Sequence, residues 1–330
     1  MGEVCQRIGT KFHPAPSTSY PQAPEEPSSS LSTPKSASGG FMLYGNYRQI
    51  PHTELPRLGV GAMPMGYEGK SIQDAFDVWQ HCFELGIRLI NTADIYSAGE
   101  NERQVGTVVS DSGRDKAFVV TKNGICHDNG RYFRDNSPEY LLKAAELSNE
   151  RLGFMPDAIL LHRLNREQSL EAAIHALCEV RDRGFTKYIG VSNVHLNELH
   201  LAYEASEGTL AFVENERSPR YRKDFDVVDA CDELGIAYLA WSPLGGGDEA
   251  KRLGEMYPEF QTVANAYSVS AQQVALAWLR RTNQSIIAIP AFTSIRTADD
   301  SYASLSLELS ENDIMTLDNA VTPNESVYPD

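Results

Sequence analysis

The sequence is poor in cysteine, in positive charge and in long apolar runs, and each shortage removes a class of protein. Five cysteines, Cys5, Cys82, Cys126, Cys178 and Cys231, are scattered, odd in number and without a C-x-x-C pair. That argues against a disulfide framework and points to reduced thiols in a cytoplasmic protein. No zinc site is suggested, and no metal is expected. Lys and Arg number 29 against 45 Asp and Glu, a formal charge of −16, which argues against nucleic acid or an anionic membrane as partner. No apolar run reaches the roughly 18 residues that a membrane helix needs.

Large apolar residues are also scarce between Pro14 and Gly40, a stretch dense in Pro, Ser, Thr and Ala. Such a composition cannot bury enough surface to offset the entropy of ordering. Residues 1–40 are therefore expected to be a disordered extension. They lack the apolar core of a secretory signal, and Glu3, Glu25 and Glu26 with few arginines do not suit a transit peptide. Residues 41–330 form the expected folded unit. It begins with two strand-like runs, 41–50 and 58–62, which read as an N-terminal β-hairpin whose first run caps the bottom of a barrel.

From there one unit recurs: an amphipathic helix, a glycine, then a short apolar strand ending in polar residues. Ser71 caps a helix over 72–85 with Trp79, Cys82 and Phe83 on its inner face, and Gly86 stops it. Ser137-Pro138 opens a second, Ser169 a third, and 225–234 reads as another. Ser270 with Gln273 forms a capping box before Val274. Eight strand candidates result, at 58–62, 87–90, 118–120, 158–161, 187–191, 211–213, 236–240 and 286–289. Strands alternating with helices imply parallel pairing and right-handed crossovers, for which a closed (β/α)8 TIM barrel is the simplest solution. An open doubly wound sheet would be favoured by G-x-G-x-x-G after the first strand, but Gly59-Val-Gly61 runs into Ala-Met-Pro.

In a barrel the chemistry sits at the C-terminal strand ends. There the chain carries Asn91 with Tyr96 beyond it, Lys122, His162, Ser192-Asn193, Glu214-Asn215, and Trp241-Ser242-Pro-Leu244 followed by Gly245-Gly246-Gly247. Singly, each of these is an ordinary solvated strand end. As an ordered set, over residues 41–320, they resemble the aldo-keto reductase family, whose Asp-Thr-Ala-x-x-Tyr signature matches Asn91-Thr-Ala-Asp-Ile-Tyr96 in all but its first residue.

The resemblance implies an NADPH- or NADH-dependent reduction of a small-molecule aldehyde or ketone. Tyr96 would protonate the carbonyl oxygen, Lys122 would favour the phenolate, and His162 would orient the carbonyl. Asn91 stands where the family has the aspartate that pairs with the lysine, so the resemblance leaves Lys122 without a counter-ion. Asp94 is a candidate substitute, although the family often carries Asp there as well. For the cofactor, Ser192 and Asn193 correspond to the carboxamide pair and Trp241 to the stacking aromatic. Glu214 stands in place of a glutamine that also meets the carboxamide. Ser242, Leu244 and Gly246 lie in the loop where backbone amides could approach a pyrophosphate. After the last strand, the residues that grip a 2′-phosphate are largely replaced: Ala291, Thr297 and Ser301 stand at their positions. Arg296 lies one residue away, with Asp299 and Asp300 opposing a phosphate.

Three functions are open at this point: the NAD(P)H-dependent reductase, a redox-neutral acid/base enzyme (lyase, isomerase or cyclase) that uses no cofactor, and a non-catalytic regulatory subunit. The departures at 91, 214 and 290–301 all point toward the second. Retention of Tyr96, Lys122 and His162 weighs against the third. The resemblance places the substrate-facing loops at 63–70, 163–166, 245–257 and 322–330, where Met63, Met65, Tyr67 and Tyr257 suggest an apolar wall.

Overall fold

The computed structural model describes residues 47–51, 55–63, 72–128 and 130–328. Eight parallel strands form one sheet in sequence order: β1 (Val60–Gly61), β2 (Leu89–Asn91), β3 (Phe118–Asn123), β4 (Ala158–Leu161), β5 (Tyr188–Ser192), β6 (Leu210–Glu216), β7 (Ala237–Trp241) and β8 (Ile286–Ala288). A parallel bridge from Leu58 to Ala288 closes the ring, and the amides of Gly59 and Gly61 donate to Ala288 O (2.8 Å) and Pro290 O (2.9 Å). The two glycines serve this closure. A Cβ at Gly59 would meet Leu89 Cδ2 at 2.6 Å, and one at Gly61 would meet Ile289 O at 2.9 Å.

The strands read as continuous apolar runs because both faces are buried. Leu89, Val120, Leu160, Phe212, Leu239 and Ile287 fill the barrel, while the alternate residues Ile90, Val119, Ile159, Ile189, Val213 and Ile286 pack under the helices. Helices surround the sheet, among them Ile72–Glu84, Pro138–Leu152, Leu170–Asp182, Phe225–Leu234 and Ala271–Thr282, close to the expected positions. Ser137, Ser169 and Ser270 accept the N3 amides that caps of this kind satisfy. Ser71 lies outside the described residues. Gln273 does not complete a capping box at Ser270, because its side chain donates to Asp300 Oδ1 instead (2.8 Å).

The expected N-terminal hairpin is not formed by the described residues. Residues 41–46 lie outside them, as does the extension 1–40, and residues 48–50 form a bend. The capping role is nevertheless met: Tyr47, Ile50 and Leu55 pack into the cluster that fills the barrel, and Arg48 N donates to Gly235 O just before β7. A hairpin does occur elsewhere. Ile125–Asp128 pairs antiparallel with Arg131–Arg134 directly after β3.

Candidate active site

The side-chain period of a strand is two, so residues that continue the inward set of each strand form the next layer of the barrel. Counting on from Leu89, Val120, Leu160, Phe212 and Leu239, that layer contains Asn91, Lys122, His162, Glu214 and Trp241. One strand parity therefore brings five of the candidates from separate strands to one mouth. Tyr96 joins them from the turn Tyr96–Gly99 beyond β2, where Ser97 (φ 48°) and Ala98 (φ 54°) hold left-handed backbone that non-glycine residues rarely adopt.

Lys122 lies at the centre and is 1% exposed. Its Nζ donates to Asn91 Oδ1 at 2.6 Å and lies 3.0 Å from Glu214 Oε1. Asn91 Nδ2 in turn donates to Glu214 Oε2 at 2.7 Å, closing a triangle. The ammonium also stands 5.2 Å from the centroid of the Tyr96 ring. Burial alone pulls the Lys122 pKa down; the Glu214 carboxylate, and then Tyr96, reverse this and hold it above the ordinary lysine value.

His162 meets Tyr96 edge to face, with ring centroids 5.8 Å apart. Burial, and then the charges of Lys122 and Arg163, push its pKa well below the usual histidine range, so the imidazole is neutral.

Asp94, the expected substitute partner for Lys122, is turned away from it. It lies past the end of β2 and accepts from Asn123 Nδ2 (3.0 Å), an outward-facing residue that also donates to Ser148 Oγ on the helix behind the sheet. Burial, and then Glu102, raise the Asp94 carboxyl to about 7. Sequence reasoning assigned Glu214 to the carboxamide site and missed its contact with Lys122. Its inward parity with Phe212 was the available signal.

The expected cofactor residues divide into two groups. Ser192 Oγ donates to Glu214 O (2.7 Å), Asn193 Nδ2 to His162 O (2.9 Å), and Trp241 Nε1 to Asn193 Oδ1 (3.2 Å), which joins the three to the Lys122 site. Ser242 (φ 45°), Gly245 (φ 88°) and Gly246 (φ 98°) shape the loop after β7, and Leu244 packs against the core. A Cβ at Gly246 would touch only Val327 Cγ1, at 3.4 Å, so its backbone is open to close approach.

Beyond β8 the arrangement is looser. Arg296 is exposed and lines a cleft of about 560 Å³ with Asp74, Asp77, Thr293 and Ser294. Thr297 is spent on the capping box with Ser294, Ser301 is buried, and Asp300 accepts from Ser270 and Gln273.

Of the expected apolar wall, Met65 and Tyr67 lie outside the described residues. Tyr257 is buried against Phe260, so it belongs to the core. The C-terminal segment does reach the mouth. The buried Glu216 of β6 accepts from Ser326 Oγ (2.5 Å) and Val327 N (3.1 Å), Arg163 Nη2 donates to Tyr328 O (2.9 Å), and the Tyr328 ring lies 5.9 Å from Trp241.

A model of the Aldo/keto reductase family matches residues 57–322. The chain is 28% identical over 301 residues to probable aldo-keto reductase 1 of Glycine max, covering 81% of this chain and 86% of that protein. It is 27% identical over 300 residues to an NADP(+) aldo-keto reductase of Schizosaccharomyces pombe, covering 80% and 88%. Among solved structures, an aldo/keto reductase from Klebsiella pneumoniae in complex with NADP and acetate shares the fold, with a TM-score of 0.74 at 22% identity over 86% of this chain and 97% of that one.

Proposed function

Because this chain belongs to the aldo/keto reductase family and is an enzyme of the oxidoreductase type, we propose that it reduces a small aldehyde or ketone to the alcohol with NADPH or NADH, Tyr96 serving as general acid. The observation that carries this reading is the Tyr96 ring set against the buried Lys122 ammonium and edge to face with a neutral His162 at the mouth of the barrel.

When bound, the dinucleotide supplies hydride to the carbonyl carbon. The chain's own residues manage the proton and the geometry. Tyr96 gives its hydroxyl proton to the carbonyl oxygen. A phenol with an ordinary pKa near 10 is a weak acid at neutral pH, and the Lys122 ammonium lowers the cost of the phenolate it leaves. His162, being neutral, can donate one hydrogen bond to the same oxygen and hold the carbonyl in line without placing a second cation against Lys122. Ser192 and Asn193 would hold the carboxamide, Trp241 the face of the nicotinamide, the Ser242–Gly246 loop with Leu244 the pyrophosphate, and Arg296 the adenosine end.

Two of the three departures that favour a redox-neutral enzyme offset one another here: Asn91 lacks a charge, and Glu214 supplies one 3.0 Å from the same ammonium. That supports the reductase over the alternative.

The test is isothermal titration with NADPH and then NADH, followed by aldehyde and ketone turnover monitored through nicotinamide absorbance. We expect micromolar binding of at least one dinucleotide. Tyr96→Phe should keep that affinity and lose about 10²- to 10⁴-fold in turnover, the range for a general acid. No binding of either dinucleotide at millimolar concentration would overturn the reading.

A further inference from the structure

The family resemblance places a carboxylate at position 91 and an amide at 214. This chain has the reverse, an amide at 91 and a carboxylate at 214. The two positions lie 123 residues apart in sequence and are joined by a 2.7 Å hydrogen bond. Both polar halves of Asn91 are used: Oδ1 faces the ammonium, so Nδ2 must face the carboxylate. The orientation of the amide therefore follows from the charges around it. Around the ammonium stand Asn91 Oδ1, which accepts its hydrogen bond, Glu214 Oε1 at 3.0 Å, and the Tyr96 ring with its centroid at 5.2 Å. The titratable groups facing Lys122 are Glu214 from β6, Tyr96 from the turn after β2 and His162 after β4. The other buried carboxylates among the described residues are engaged elsewhere, Asp94 with Asn123, Glu102 with Arg151, Asp157 with Arg114, Glu216 with the C-terminal segment and Asp224 with Arg217.

We propose that Glu214 is the counter-ion of Lys122, and that Asn91 and Glu214 together perform the positioning task of an aspartate–lysine pair with its charge relocated from β2 to β6. Glu214 acts on Tyr96 through Lys122, so it is a positioning residue. For turnover this rests on the proposed role of Tyr96; for the folded protein it does not.

The exchange is also selective. Moving the amide back to 214 alone leaves the lysine with two amides and no carboxylate. Moving the carboxylate back to 91 at the same time rebuilds a paired site.

The experiment compares the full chain with Glu214→Gln and with Glu214→Gln combined with Asn91→Asp, reading kcat and KM across pH and the melting temperature of the unliganded protein. Glu214→Gln should lower kcat by about 100-fold or more, as expected when one member of a buried pair is lost, and should reduce the melting temperature. It should also move the alkaline limb of the kcat profile to lower pH, because an unpaired buried lysine releases its proton earlier. Adding Asn91→Asp should return kcat to within about tenfold of the parent and recover most of the melting temperature and the pH limb.

Failure of Glu214→Gln to fold, with the double variant folded, also upholds the assignment. Unchanged kcat and melting temperature in Glu214→Gln would overturn it, and so would a double variant no better than the single one. If the parent reduces no carbonyl, the reductase reading fails, and the melting temperatures alone decide the counter-ion: loss and recovery uphold it, and no change overturns it.

Discussion

Two parts of the barrel's C-terminal face depart from the family pattern, and they do so differently. Around Lys122 the changes at 91 and 214 lie in contact, each supplying what the other lacks, and the lysine keeps an acceptor and a negative charge within 3.0 Å. After β8 the changes at 291, 297 and 301 have no such partner. Thr297 turns to capping its own helix, Ser301 is buried, and the basic side chain present, Arg296, shares its cleft with Asp74 and Asp77. The first region is buried and tightly bonded, so an uncompensated charge there would be costly. In the second, Arg296 and Ala291 are exposed, and the loss of a basic residue at an exposed position costs little stability.

The strongest way to break this comparison is Lys122→Met. It leaves the Glu214 carboxylate buried without its cation, and removal of one partner from such a pair costs about 3–5 kcal/mol. Urea unfolding should show that loss, and the further change Glu214→Gln should recover most of it, although turnover stays abolished in both. A Lys122→Met protein as stable as its parent would mean that the first region is no tighter than the second.

A second test uses a buried carboxylate that accepts from a neutral amide, Asn123. Asp94 is raised to about 7 by burial and then by Glu102, against the weaker opposing effects of Asn123 and Arg151. Its folded pKa lies above its unfolded value near 4, so the folded state holds the proton more tightly. The stability this contributes is complete below pH about 4, declines as pH rises toward 7, and is gone above it. Asp94→Asn should remove the slope and stabilise the protein at about pH 8 by a few kcal/mol, with little change at about pH 4. Unfolding free energies of both proteins across this range check the prediction. Equal slopes would show that Asp94 titrates normally.

These residues also mark where sequence reading succeeds and where it stops. The barrel was legible because strand, helix and cap are local patterns: 158–161 and 225–234 coincide with the observed elements, and Ser137, Ser169 and Ser270 cap as their spacing implies. The mouth residues were legible because each follows an apolar run. Partnership across the barrel was not, since nothing local joins Asn91 to Glu214. Asp94 is a candidate partner only by its nearness to Asn91 in sequence, and its position beyond β2 directs it to Asn123. Gln273 shows the same limit on a small scale, taking Asp300 from another helix in place of the Ser270 amide. The hairpin at 125–134 escaped notice because its Ile-Cys-His-Asp and Arg-Tyr-Phe-Arg strands lack a clear alternation.

The smallest expected effect sharpens the other side of the comparison. If the segment after β8 has lost its dedicated phosphate grip, the exposed Arg296 is left as a weak contact facing two carboxylates. Exposed ion pairs contribute about 0–1 kcal/mol, so Arg296→Ala should weaken NADPH binding by no more than about fivefold and leave NADH unchanged. Titration of both variants with both dinucleotides measures this, and raising the salt concentration should shrink the difference further. A loss of 100-fold for NADPH alone would show a built phosphate site at Arg296, and the two regions would then be alike in having replaced what they gave up.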